Sequence, residues 1–219
     1  MFPLPLHIYF EMAALLVSII SWRKISRSEF RWVLPYLLLI VAVELSGRYI
    51  KKEMGSVNSP LYNISIPIEY IFYTSLFVHF YAKELFKKIA KLLLGLFLLF
   101  VVVNISFIQG IYDFNTYTLK IGSFLMIVFS CMFFVDLIQQ DRDISLVDEP
   151  MFWISVGVFL FNTGEFFFNL FLGYLIKNLP VNTIRIFASI NNKLIWVLYT
   201  CIIISIICIP RKYQKAFDR

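Results

Sequence analysis

Charged residues are scarce in this chain of 219 residues, because Asp, Glu, Lys and Arg together make up only 16% of it. A soluble domain averages about 25% charged and about 45–50% apolar residues, whereas 60% of this chain is apolar. Its mean hydropathy is +0.78. The composition excludes an ordinary soluble domain and predicts an integral membrane protein.

Histidine and cysteine are also rare, and their scarcity bears on catalysis. The two histidines, His7 and His79, cannot build a zinc site with three histidine ligands. The three cysteines lie within apolar runs without a CxxC spacing, which is typical of inert buried thiols. Ser189 and Lys193 are four residues apart, a generic spacing and weak evidence for serine catalysis. The sequence does not indicate an enzyme, and we expect no metal or other cofactor.

Seven apolar runs approach the roughly 20 residues that a helix needs to cross a membrane. The connections between them are short, and no segment suits a separate soluble domain. Residues 1–10 contain no Lys or Arg, so the first run predicts a retained helix rather than a cleaved signal peptide. We expect an all-α, seven-transmembrane-helix bundle that forms a single membrane domain over residues 1–219. Its predicted spans are 6–22, 32–50, 60–82, 89–108, 117–139, 151–176 and 184–209.

The basic residues predict the orientation of the chain. If the N-terminus lies outside, 13 Lys and Arg residues fall in the inner loops and tail and 6 in the outer loops. Basic residues accumulate in short cytoplasmic loops, so the split favours an outside N-terminus and an inside C-terminus. We expect a bacterial cytoplasmic membrane protein whose positive charge reflects this topology, and no nucleic-acid partner.

Ionisable residues inside the predicted spans are the most informative feature. Glu11, Glu44, Glu69, Glu165 and Lys193 all lie within apolar segments. Such a residue costs roughly 2.5–3.5 kcal/mol on insertion scales and normally faces a protein interior. The five residues therefore predict a polar chamber between the helices, displaced toward the outer half of the membrane.

Helical spacing extends this prediction to neighbouring polar residues. Residues three, four and seven apart share one face of a helix, and polar residues follow that spacing in the first, second, third, sixth and seventh spans. The candidate ligand- or ion-binding residues are Glu11, Glu44, Glu69, Tyr73, Asn162, Glu165, Asn169, Asn192, Lys193 and Trp196.

Purely structural roles for these residues stay open. Asparagines in membrane helices most often form interhelical hydrogen bonds. A buried ion pair is weak evidence for stability, since desolvation can match its Coulomb gain. The pairs for which ion pairing is the alternative to ligand binding are Glu44–Arg48, Glu11–His7 and Glu165–Lys193.

In outline the chain resembles the microbial rhodopsins, which have seven spans, an outside N-terminus and a lysine in the last helix. That resemblance would give Lys193 the retinal-bearing role and Glu69 the role of counter-ion. The family's Arg–Asp–Trp–Thr–Thr–Pro pattern is absent from the third span, and Ser189 stands where an acid is usual. The likeness is therefore topological, and no retinal is expected.

The sixth span carries a second resemblance. Its run from Pro150 through Trp153 and Gly157 to Asn162 and Glu165 is similar to the sixth helix of small bacterial seven-span membrane proteins. Some of these accompany histidine kinases. The resemblance implies no site residues.

Together these features favour a receptor-like protein that binds a small ligand, cation or proton in the chamber. We expect it to signal to a cytoplasmic partner through its inner loops, the acidic segment 140–149 and the basic tail. The main alternative is a cation- or proton-coupled transporter or channel. Further alternatives are an oligomeric membrane effector and a lipid-modifying enzyme. The lipid bilayer is the expected surrounding, and homo-oligomerisation is left open.

Overall fold

The computed structural model describes residues 4–140 and 146–209, and within these residues the chain contains helices and no strands. Residues 141–145 of the predicted acidic segment 140–149, and the basic tail at 210–219, lie outside them. The helices are α1 (Leu6–Ile20), α2 (Trp22–Ile25), α3 (Val33–Lys52), α4 (Ser59–Phe80), α5 (Glu84–Val103), α6 (Thr116–Ile138), α7 (Pro150–Asn178) and α8 (Val181–Cys208). A π-turn over Asn104–Ile108 continues α5, and a short 3-10 turn over Leu146–Asp148 precedes α7.

Proline and glycine mark several helix boundaries. Pro60 and Pro150 lie in the first turns of α4 and α7, where a backbone N–H has no partner within the helix. Gly55 and Gly110 adopt positive φ angles of 61° and 77° in the connections after α3 and α5, a conformation that glycine accepts without strain. Pro67 lies inside α4.

Among the described residues, five helices are long and apolar enough to cross a membrane: α3, α5 with its π-turn, α6, α7 and α8. Helix α1 is apolar but only 15 residues long, and the 22-residue α4 is not among the five. These helices confirm the prediction of an all-helical membrane protein. They support at least five of the predicted spans by length and composition.

Six of the helices form a closed ring. In order around it, α1 contacts α3, α3 contacts α4, α4 contacts α6, α6 contacts α7, α7 contacts α8, and α8 returns to α1. Helix α5 packs outside this ring against α4 and α6. We call the end where α1 begins the N-terminal end of the bundle, and the end where α8 stops the C-terminal end.

Glycine permits close packing between helices of the ring, as at Gly122 and Gly164. The ring of Tyr70 fills the space where a side chain at Gly122 would lie, which brings α4 against α6. Leu194 occupies the corresponding space beside Gly164, which brings α8 against α7. Such small residues let membrane helices approach closely.

The half of the bundle toward the C-terminal end has an apolar core. Within it, Phe77 packs against Tyr81, Phe129 and Phe133, with ring centroids 6.1–6.5 Å apart. We use the term apolar floor for five buried core residues that follow Glu69, Leu119 or Tyr199 by about one to three turns of α4, α6 or α8, namely Leu76, Phe77, Met126, Phe129 and Ile202.

A lysine joins α2 to the end of α8 at the C-terminal end of the bundle. Lys24 of α2 donates hydrogen bonds to the carbonyls of Ile206 and Ile207, at 3.1 and 2.6 Å. These carbonyls belong to the last turn of α8, where backbone carbonyls have no N–H partner within the helix. Partial burial lowers the pKa of the Lys24 ammonium, and the nearby Cys208 thiol acts in the opposite direction. Lys24 therefore caps α8 from another helix.

Candidate functional site

A cavity of about 190 Å³ lies inside the helical ring, and all four predicted glutamates line it. It receives side chains from each of the six ring helices and from the connection before α6. We call this cavity the polar chamber. Its lining residues are Glu11, Ile40, Val43, Glu44, Tyr62, Ser65, Ile66, Glu69, Tyr70, Phe114, Leu119, Phe161, Glu165, Ile195, Leu198 and Tyr199.

Glu69 is held by a pair of tyrosines. Its Oε1 accepts a hydrogen bond from the Tyr36 hydroxyl at 3.0 Å, and that hydroxyl lies 3.0 Å from the Tyr73 hydroxyl. The Tyr36 ring stacks on Phe72, with centroids 3.9 Å apart. Tyr73 is therefore connected to Glu69 by the Tyr36 hydroxyl, and it does not line the chamber itself.

Glu44 has two partners from neighbouring helices. The Tyr62 hydroxyl donates to its Oε2 at 3.2 Å, and His7 Nε2 lies 3.8 Å from the same oxygen. The predicted partner of His7 was Glu11, one turn farther along α1. The structure instead places His7 beside Glu44 of α3, so the contact joins two helices.

Glu165 belongs to a third hydrogen-bonded group. Ser123 donates to its Oε2 at 3.3 Å, and the Tyr70 hydroxyl lies 3.1 Å from Ser123 Oγ. This group links α4, α6 and α7 at the point where Tyr70 packs over Gly122.

Glu11 differs from the other three glutamates. It is only 3% exposed, and its Oε2 is a buried oxygen without a hydrogen-bond partner. A buried carboxylate oxygen that lacks a donor carries a desolvation cost. Glu11 therefore carries a buried acceptor oxygen that no described residue satisfies.

Asn162, Asn169 and Trp196 were predicted site residues, and none of them lines the chamber. Asn162 donates to the Val158 carbonyl at 2.8 Å, and Asn169 donates to the Glu165 carbonyl at 2.9 Å. These bonds stay within α7, although interhelical bonds were the expected alternative. Trp196 stacks on Phe10, with centroids 5.6 Å apart.

Lys193 and Asn192 point away from the chamber. Both side chains are exposed, and the ion pairs found in the described part of the chain do not join Lys193 to Glu165. The buried Glu165–Lys193 pair, one of the two alternatives for these residues, is therefore not formed. Leu194 packs beside Gly164 of α7, and the preceding Lys193 lies on an exposed face of α8.

A loop fixed by Asn63 covers one side of the chamber. Asn63 Nδ2 donates to the carbonyls of Ile111 and Asp113, both at 2.7 Å, and its Oδ1 accepts from the Asn115 N–H at 3.1 Å. Phe114, between these anchored residues, lines the chamber. The Asn63 side chain is only 2% exposed, so these bonds position Phe114 within the protein.

Several of these residues were not among the predicted site residues. Tyr36 and Ser123 supply hydrogen bonds to two glutamates, and Phe114 contributes an aromatic wall. Tyr36 stands four residues before Ile40 and eight before Glu44, so helical spacing offered a weak signal for it. Ser123 and Phe114 gave none, because α6 and its preceding loop carry no intramembrane charge at the chamber.

The chamber is rich in acid and poor in base. No lysine or arginine is among its lining residues within the part of the chain that the structure describes. In that part, no group of three His, Cys, Asp or Glu side chains could hold a metal ion. The arrangement is suited to a proton or to a cation that does not need metal-like coordination.

Comparisons with known proteins find no matching family model, no matching curated protein and no matching solved structure.

Proposed function

We propose that this protein is a seven-helix membrane receptor that takes up a small cation or a proton in the polar chamber and signals to a cytoplasmic partner. The observation that carries this proposal is the convergence of Glu11, Glu44, Glu69 and Glu165 on one cavity. Four carboxylates in a low-dielectric site attract positive charge, because burial penalises uncompensated anions.

Closure of the chamber toward the C-terminal end supports binding rather than conduction. The apolar floor lies beneath Glu69 and consists of buried side chains, including Phe77 and Phe129, which are both 0% exposed. The five side chains of the apolar floor carry no polar group that could replace the hydration shell of an ion. The floor therefore suits a site that holds its ligand.

Helix α8 provides a route for the signal. It lines the chamber with Leu198 and Tyr199, and its last turn is capped by Lys24. A ligand that favours one packing of α8 against α1 and α7 would shift the populations of two arrangements. With the N-terminus outside, as the basic residues indicate, that movement reaches the cytoplasmic side.

A fluorine label at the end of α8 tests this proposal. The natural Cys208 would carry a trifluoromethyl label, with Cys131→Ser and Cys201→Ala removing the other thiols, in full-length protein reconstituted into liposomes. Lowering the pH from about 8 to about 4 protonates carboxylates. We therefore expect the ¹⁹F resonance to shift over this range. The shift should disappear when Glu69→Gln and Glu165→Gln are combined.

The matched control is Glu84→Gln, the same substitution at an exposed glutamate at the start of α5. It should leave the ¹⁹F shift unchanged. An identical shift in the control and in the combined chamber variant would contradict the proposal, since the chamber would then not govern α8.

A proton- or cation-coupled transporter is the second candidate function. The observation that favours it is Asp136, which lies beyond the apolar floor, is 1% exposed, and has a buried Oδ1 without a partner. Its Oδ2 accepts a hydrogen bond from the Ala82 N–H at 2.5 Å. Collapse of a pH gradient in liposomes, lost in the Asp136→Asn variant, would support transport over signalling.

A further inference from the structure

The size of the polar chamber limits its ligand. Its volume is about 190 Å³, whereas pockets for drug-sized ligands measure about 300–1,000 Å³. An engineered cavity of about 150 Å³ is large enough to bind benzene. The chamber therefore has room for a molecule only slightly larger than benzene.

The hydrogen bonds of the glutamates indicate where a ligand would attach. Glu44, Glu69 and Glu165 each accept a hydrogen bond from a hydroxyl group. Glu11 lines the same chamber with a buried Oε2 that accepts none. The unused acceptor calls for a ligand with an N–H donor, and a positive charge on that donor would offset the surrounding carboxylates.

The walls of the chamber are suited to an organic cation rather than a metal ion. Aromatic side chains line it from several directions, among them Tyr62, Tyr199, Phe114 and Phe161. Aromatic faces attract cations and also pack against apolar groups. Calcium and magnesium instead need about six or more oxygen ligands in tight geometry, and no metal-holding cluster is found among the described residues.

We infer that the polar chamber binds a small organic ammonium ion that bears N–H groups and an apolar body of about the size of benzene, with Glu11 as its carboxylate partner. This inference rests on the proposed function for the role of the chamber and adds the chemical class of its ligand. The ammonium group would bond to the Glu11 carboxylate, and the apolar body would lie against the aromatic walls.

Benzylammonium is the probe that fits these requirements, and benzyl alcohol is its neutral counterpart. Isothermal titration of the full-length protein in detergent should show binding of benzylammonium and much weaker binding of benzyl alcohol. The N-trimethyl analogue, which keeps the charge but lacks N–H groups, should also bind more weakly. Equal binding of the alcohol and the ammonium ion would overturn the inference.

Glu11→Gln is the matching variant, because it preserves shape and removes the charge. We expect it to weaken benzylammonium binding about 30-fold, the change that corresponds to about 2 kcal/mol for the loss of a charged partner. Glu84→Gln should bind like the unmodified chain. If Glu11→Gln does not fold, Glu11→Asp, which retains the charge and retracts the carboxylate, should weaken binding instead. Unchanged affinity in a folded Glu11 variant would refute the assignment.

The ¹⁹F label on Cys208 separates this inference from the proposed function. Benzylammonium binding without a change in the resonance would support the ammonium site and contradict the signalling role. A resonance shift that is induced by acid and depends on the chamber, without benzylammonium binding, would support the receptor function and refute the ammonium site.

Discussion

Replacement of Asn63 by alanine should destabilise the protein more than any other single asparagine change near the chamber. The substitution removes the two bonds from Nδ2 to the loop carbonyls and the bond from the Asn115 N–H to Oδ1. The side chain is buried, so water cannot simply take its place.

The expected decrease in the free energy of unfolding follows from these three hydrogen bonds. A typical intramolecular hydrogen bond contributes about 1 kcal/mol, so Asn63→Ala should cost about 3 kcal/mol. For a chain of this size each kcal/mol lowers the melting temperature by about 2–4 °C, which gives a drop of about 6–12 °C. Release of the loop should also let Phe114 leave the chamber wall.

Thermal unfolding of the purified protein in detergent, followed by circular dichroism, measures this change. Asn178→Ala is the control, because Asn178 is exposed and its Nδ2 bonds only to the Tyr174 carbonyl of its own helix. That variant should stay within about 0.5 kcal/mol of the unmodified protein. A melting temperature for Asn63→Ala no lower than that of Asn178→Ala would refute the reasoning.

Two further predictions concern the packing of the helical ring and the capping of α8. Gly122→Ala should cost about 1–3 kcal/mol by overpacking against Tyr70, whereas Gly95→Ala, with nothing near the new methyl group, should be neutral or stabilising. Thermal melts of the two variants, run side by side, make the comparison, and equal melting temperatures would contradict it. Lys24→Met should uncap α8 and speed amide hydrogen exchange in a 203–209 peptide by about 30-fold, the equivalent of about 2 kcal/mol for a charged hydrogen-bonding partner. Unchanged exchange there, measured by mass spectrometry, would show that the cap is dispensable.

The helical segments were largely predictable because apolar runs of membrane length have few other solutions. Backbone groups in hydrocarbon must pair within their own segment, which restricts such runs to helices. Hydropathy does not show how the helices pack side by side. The placement of α5 outside the ring, against α4 and α6, depends on side-chain contacts that a single sequence does not reveal.

The chamber, like the fold, was predictable where the sequence pattern of a single helix decides and not where packing between helices decides. Glu11, Glu44, Glu69 and Glu165 were predicted together, because a buried charge must face the interior whatever the detailed arrangement. Lys193 was placed in the chamber although it is exposed, because periodicity alone does not show which face of α8 turns inward; Leu194, the next residue, is the one that packs beside Gly164.

Hydrogen-bonding partners were the least predictable part of the site. Tyr36 approaches Glu69 from another helix, and Asn63 binds a loop about 50 residues later in the chain. Neither contact leaves a periodic trace in the sequence, because each depends on the distance between two separately folded segments.

The lengths of α7 and α8 have a consequence for the surrounding membrane. Their 29 and 28 residues correspond to about 43 and 42 Å, against a hydrocarbon thickness of about 30 Å. Exposed apolar side chains, including Tyr174, Ile176 and Val181, continue to the tip of this helix pair, so tilting is more favourable than projection into water. A thicker bilayer would bring the pair upright and a thinner one would tilt it further. Lipid composition would thereby act mechanically on the two helices that carry Glu165 and Tyr199.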